Sequence, residues 1–133
     1  MSITLVNPNS LQKPRGFSHG IVAQGTRMLF LSGQPGVDAT GRVAAPGELV
    51  DQFAQALANV DAVVREAGGS LQNIVKLTIF VVDKDAYSEL LKPLGAAYRA
   101  FLGTYYPAMT LVEVRDLFDD NALIEIEGIA VLD

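Results

Sequence analysis

The sequence contains no cysteine and a single histidine. Without thiols there is no disulfide, no thiolate metal site and no cysteine nucleophile. One imidazole, His19, cannot build a His-rich zinc site, so no metal is expected. No apolar run approaches the ~20 residues that span a bilayer. The start, Met1-Ser2-Ile3-Thr4, lacks the basic region and apolar stretch of a signal peptide. A soluble cytoplasmic protein without a membrane partner is the expectation. Positive charge is also sparse: ten Lys and Arg stand against fifteen Asp and Glu, for a net charge of −5. The basic residues are scattered singly, with no patch or stripe to follow phosphates and no RNA-binding aromatic signature. No nucleic-acid partner is expected.

What is present suits one domain spanning 1–133. Half of the 133 residues are apolar and 19% are charged, a composition that supports a packed core. Such a domain buries roughly 65–70% of its unfolded surface.

Strand-like and helix-like patterns alternate along the chain. Ile3 to Val6 is a short apolar run, a candidate edge strand ended by Asn7-Pro8-Asn9. Gly20 to Ala23 is extended, and Gln24-Gly25-Thr26-Arg27 reads as a hairpin turn leading into a partner strand at Met28 to Ser32, with Gly25 free to take positive φ. The clearest helix runs from Gly47 to Ala67. Its apolar residues, Leu49, Val50, Phe53, Ala56, Leu57, Val60, Val63, Val64 and Ala67, recur at threes and fours, while Gln52, Gln55 and Asn59 fall on the wet face. Gly68-Gly69 ends it. Ile74 to Val82 is a β-branched strand. Asp83 or Asp85 caps a second helix with a stripe at Leu90, Leu94, Ala97, Tyr98 and Phe101. Pro93 either kinks that helix or opens a later segment. Ala108 to Val114 and Ala122 to Leu132 are two further strands.

Two helices cover one face of a sheet, yet the strands are apolar on both. Val75, Leu77, Ile79 and Val81 fall on one side of their strand, and Phe80 and Val82 on the other with Lys76 and Thr78. In the last strand Ile124, Ile126, Ala130 and Leu132 oppose Leu123, Glu125, Glu127, Ile129 and Val131. A second apolar face with no helix to cover it must meet another chain. An oligomer with inward-facing sheets follows, with Glu125 and Glu127 on its inner or rim side.

Several blocks carry a resemblance. They are Gly16-Phe17-Ser18-His19-Gly20, Leu31-Ser32-Gly33-Gln34-Pro35-Gly36-Val37-Asp38, Gln52 through Asn59-Val60 with Ala67-Gly68-Gly69, Asn73 to Val81, Tyr106-Pro107-Ala108, Val112-Glu113-Val114 with Leu117, and Ile124 to Val131. In this order and spacing the chain resembles the Rid/YjgF family, the reactive intermediate deaminases, known under an older name as endoribonuclease L-PSP. The resemblance covers nearly the whole chain. It implies an α+β, chorismate-mutase-like fold with a six-stranded, mainly antiparallel sheet and two helices packed on one face. It also implies a homotrimer with ligand clefts between subunits, hydrolysis of short-lived enamines and imines, and no cofactor.

The family's chemistry, carried over residue by residue, maps only in part. A glutamate that positions or activates water matches Glu125. A Ser-Gly turn lining the pocket matches Ser32 and Gly33. A tyrosine position holds Phe17, which keeps the ring and loses the hydroxyl. The arginine that clamps the substrate carboxylate is replaced by Met109, which has neither donor nor charge. A position in the second helix that often holds asparagine holds Gly95. Losing a bidentate charge-assisted pair costs ~2–5 kcal/mol, well over tenfold in affinity. Either the cleft takes a less charged, more apolar substrate, or another cation does the clamping. Arg115 lies about 20 Å along the strand from Met109, too far to substitute locally; from a neighbouring subunit Arg115, Arg15 or Arg27 are the remaining cations. Glu127 and His19 are read as structural, Tyr105 and Tyr106 as packing residues.

The enzyme reading is therefore an imine or enamine hydrolase with Glu125 serving the water, Phe17, Ser32, Gly33 and Met109 shaping the site, and an altered substrate preference. The alternative is a non-catalytic trimer that binds a small metabolite. RNA cleavage ranks last, given the acidic charge. Ser32 lacks a nucleophile-elbow frame, and the glycines form no phosphate loop.

Overall fold

Strand segments with partial two-residue alternation and one long amphipathic stripe set the architecture. The computed structural model describes residues 2–133. Its strands are β1 (Ser2–Val6), β2 (Gly20–Gln24), β3 (Arg27–Pro35), β4 (Ile74–Val81), β5 (Ala108–Glu113) and β6 (Ile124–Leu132), and its α-helices are α1 (Leu49–Glu66), α2 (Lys84–Glu89) and α3 (Leu91–Leu102). The order β3-β6-β4-β5 forms a four-stranded sheet in which only the β4–β5 pair is parallel. Helices α1 and α3 pack against each other, and α1 lies on β3 and β6. This is the α+β, YjgF-type fold, with two differences in detail. Hydrogen bonds divide the six strands into that sheet and a separate β1–β2 ribbon, and the short α2 is a third helix.

The core lies between α1, α3 and one sheet face. Phe53, Leu57, Val60 and Val64 from α1 meet Leu31, Leu77, Ile79, Ile126 and Ala130 from the sheet, all buried. Each large side chain so buried contributes about 1.5–3 kcal/mol of transfer free energy. Helix α1 starts two residues later than the pattern suggests, because Gly47 sits at φ +80°. Gln52, placed on the wet face by periodicity, is instead fully buried. Its Nε2 donates to Ala45 O and Asn121 O, and its Oε1 accepts from Leu123 N. A buried amide is tolerated when all its polar atoms are bonded, and here it ties α1 to the entry of β6.

Two other expectations are corrected and one open alternative is settled. Gly25 and Thr26 do not close a hairpin: β2 pairs with β1, while Thr26 N donates to Leu132 O and carries the chain straight into the β3–β6 ladder. Gly25 is needed for a close approach rather than a positive φ, since a Cβ there would lie 2.6 Å from Val131 Cγ1. In β4 the register shifts between Ile74 and Lys76, so Ile74 takes the core position and Val75 is only half-buried. The Pro93 question resolves as a break. Asp83 Oδ1 caps α2 by accepting from Asp85 N and Ala86 N, the helix turns off at Leu90, and Pro93 falls in the first turn of α3, where its missing N–H has no partner to lose.

Among the described residues no helix covers the second sheet face. Met28 and Phe30 on β3 are 61% and 69% exposed there, beside Phe80, Val112 and Ile129. Among the described residues no helix is long and apolar enough to cross a membrane.

Candidate functional site

The residues singled out from the sequence fall into two groups, on opposite faces of the sheet. The first surrounds the start of β5. Ser18 N donates to Pro107 O at 3.0 Å, and its buried hydroxyl donates to Tyr106 O at 2.6 Å. These bonds seat Phe17 against the β5 edge. His19 anchors the same segment: its backbone N–H donates to Asn7 Oδ1, its Nε2 lies 2.8 Å from Gln12 O, and its ring meets that of Phe17 edge-on at 5.1 Å. That is the structural role the sequence favours for it. Met109 is in register with Leu77 and shares its face, toward the helices.

Phe17 and Met109 together line a cavity of about 540 Å³ between β5, α3 and the segment at residues 15–17. Its other walls are Tyr98 and Tyr106, whose rings stack at 5.0 Å with their planes 3° apart. The Tyr98 hydroxyl donates to Tyr105 O at 2.7 Å, and that of Tyr105 donates to Ile74 O. Burial pushes the Tyr98 hydroxyl well above the ordinary tyrosine range and that of Tyr105 up to about 12. Both stay neutral donors at physiological pH, so this side of the cavity is a fixed aromatic wall rather than an acid or base.

The second group lies on the open face. The β3–β6 register slips between Leu31 and Gln34, so Ser32 and Gly33 bulge out of the ladder opposite β6. Glu125 lies across this bulge. A Cβ at Gly33 would stand 2.8 Å from Glu125 Cδ, so only glycine lets the carboxylate occupy this position. Glu125 is half-buried and has no hydrogen bond or ion pair to a described residue. A carboxylate on an apolar face is costly unless it is wet or paired. Glu127 is exposed.

Register shows why these groups do not meet within one chain. Glu125 pairs with Phe80, and Phe80 with Val112, so the three share the open face. Met109 and Val112 are an odd number of residues apart on β5 and therefore point to opposite faces. Glu125 and Met109 are thus separated by the sheet itself.

The candidate cations sort just as clearly. Arg27 is engaged with Asp133 O and Ala67 O, and Arg115 lies in an exposed loop beyond β5. Arg15 stands at the cavity, together with Arg99, which sequence reasoning missed. The signal for Arg99 was present: a glycine inside a helix, Gly95, one turn before an arginine. Among the described residues no cluster of three His, Asp or Glu could hold a metal ion.

Chain and fold both have known relatives. The family model described as endoribonuclease L-PSP matches residues 8–132. The chain belongs to this family, the Rid/YjgF proteins. It is 30% identical over 105 residues to the 2-iminobutanoate/2-iminopropanoate deaminase of the goat, covering 79% of this chain and 73% of that one. It superposes on the Rid-family protein YyfB of Yersinia pestis with a TM-score of 0.89 at 30% identity, over 99% of this chain and all of the other. It superposes on E. coli TdcF, whose structure holds a bound serine, with a TM-score of 0.69 at 32% identity over 91% of each chain.

Proposed function

We propose that the protein is an imine or enamine deaminase whose sites form at the seams of a homotrimer. The bare sheet face of one subunit brings Ser32, Gly33 and Glu125 opposite the Phe17–Met109 cavity of the next. The observation that carries this reading is Glu125: a half-buried carboxylate with no hydrogen bond or ion pair to a described residue, lying close against Gly33 where a Cβ would displace it. The named activity of the goat relative supports the reaction class.

The chemistry is addition of water across C=N. Glu125 accepts a proton from water as the oxygen bonds to the imine carbon and the C=N π pair moves to nitrogen, which takes up a proton. The carbinolamine nitrogen then takes the proton that Glu125 carried, the C–N bond breaks to release ammonia, and the hydroxyl returns its proton to water as the carbonyl forms, which balances the proton the nitrogen took from water in the first step. The Ser32–Gly33 bulge leaves room for the carboxylate, and Phe17 and Met109 exclude bulk water. Met109 offers no charge to a substrate carboxylate, so small 2-imino acids bind this site poorly.

The test is hydrolysis of an imine generated in place by an amino acid oxidase. The expected result is slow turnover of 2-iminopropanoate, faster turnover of imines with larger apolar groups, and loss of both in Glu125→Ala. Rapid hydrolysis of 2-iminopropanoate contradicts the role given to Met109. The apolar character of Phe17 and Met109 also favours a second reading, a trimer that binds a metabolite without converting it. Ligand-dependent thermal stabilisation without turnover of any imine selects that reading.

A further inference from the structure

The Met109 cavity is not neutral at its mouth. Two guanidinium groups, Arg15 and Arg99, border it, and no Asp or Glu does. Neither arginine has a hydrogen bond or ion pair to a described residue. Arg99 is carried by α3, one turn beyond Gly95, and its guanidinium lies over that glycine: a Cβ at residue 95 would stand 3.1 Å from Nη1 and 3.9 Å from both Cζ and Nη2.

A glycine inside a helix costs about 1 kcal/mol relative to alanine. Arg99 near the C-terminal end of α3 has a favourable interaction with the helix dipole whichever way its side chain turns. That interaction does not require a glycine at 95. A Cβ there would press on Nη1 and push the guanidinium outward by a few tenths of an ångström, so glycine lets it lie flat against the helix at the cavity mouth. Below that charge the walls are Phe17, Tyr98, Tyr106 and Met109, and a cavity of about 540 Å³ is of the size that encloses a whole small ligand.

We infer that Arg99, laid across Gly95, is the cation that receives the ligand, and that the ligand class is a monocarboxylate with an aromatic or bulky aliphatic body. The charged end sits at the mouth on Arg99, and the body lies among Phe17, Tyr98 and Met109. The carboxylate-binding function is thereby moved from β5 to α3, and the space beside residue 109 becomes an apolar subsite. Arg15 belongs to the irregular segment before β2 and contributes to the field at the mouth, whereas Arg99 rises from a helix and is the better-fixed donor. This inference rests on the reading that the Met109 cavity is the substrate pocket and names its substrate class. It does not depend on turnover.

The test is equilibrium binding of phenylacetate, its neutral isostere phenylacetamide, and acetate to the full chain, by ligand-observed NMR or calorimetry. The expected order is phenylacetate tightest, with an advantage of about tenfold or more over the amide from the charge-assisted contact, and acetate weakest. In Arg99→Gln the acid falls to the level of the amide, while the amide is unchanged. Arg15→Gln keeps most of the preference. Because Arg99 is exposed and unbonded, the variant keeps the parent's thermal midpoint. Equal binding of acid and amide, loss of the preference in Arg15→Gln but not Arg99→Gln, or no binding of either aromatic probe at millimolar concentration each overturns the inference. Binding of the probes involves no imine chemistry. Failure of imine hydrolysis with intact phenylacetate binding therefore rejects the deaminase reading and leaves this one standing.

Discussion

Replacing Gly33 by alanine separates the role of Glu125 from its mere presence. The added Cβ would stand 2.8 Å from Glu125 Cδ and 3.1 Å from Cγ. Carbon atoms in ordinary contact are about 3.5–4.0 Å apart, so the carboxylate must retreat by about 1 Å. A catalytic group misplaced by that distance loses about 10²-fold in rate, or about 2.7 kcal/mol of transition-state stabilisation. The fold is affected in the opposite direction. Gly33 does not have positive φ, Glu125 is only half-buried and can swing outward, and alanine restricts the unfolded chain, a gain of about 0.4–1 kcal/mol. Gly33→Ala is therefore expected to hydrolyse an oxidase-generated leucine imine about 10²-fold more slowly while melting no lower than the parent. Glu125→Gln, which keeps the shape and loses the basicity, gives a loss at least as large. Activity of Gly33→Ala within about twofold of the parent refutes the placement of Glu125 at the reacting centre.

Other perturbations probe the remaining links. Met109→Arg restores a guanidinium on β5 and is expected to raise kcat/KM for 2-iminopropanoate by tenfold or more, the scale of a charge-assisted carboxylate contact; steady-state kinetics on that imine decide it. Phe30→Lys places a charge where the ring is 69% exposed in one chain, so the subunit is expected to keep its fold and the proposed trimer to dissociate, as sedimentation velocity at micromolar concentration will report. Gln52→Leu leaves Leu123 N–H and the Ala45 and Asn121 carbonyls without their partner. A loss of about 2–4 kcal/mol in urea unfolding is expected, because several buried polar groups are orphaned at once.

Much of the fold can be read from local pattern. The stripe from Leu49 to Val64 and the alternation of Ile124, Ile126 and Ala130 each repeat with a period that only one element satisfies. The bare second face follows from the same arithmetic. Features that depend on partners distant in sequence are not readable in that way. Periodicity places Gln52 outward, and only the carbonyl of Asn121 and the N–H of Leu123 explain its burial. Gly25 has the composition of a hairpin turn, yet the end of β6 captures the following residue. The contact between Gly33 and Glu125 arises from a register slip that no local window contains, although the family resemblance brought both residues to notice. Arg99 is not legible in the sequence because the resemblance directs attention to residue 109, and only the cavity shows that α3 and β5 border the same space.

The central claim is that each site takes Glu125 from one subunit and the Met109 cavity from another. Active-site complementation tests it. Glu125→Ala lacks the carboxylate, and Met109→Trp fills the cavity, so each alone is inactive. When the two are unfolded together and reassembled at equal concentration, about one seam in four combines a native Glu125 with a native Met109, and hydrolysis returns to about a quarter of the parent's rate. If the mixture stays as inactive as its components while its trimers form normally, the two halves of the site belong to one chain and the account is wrong.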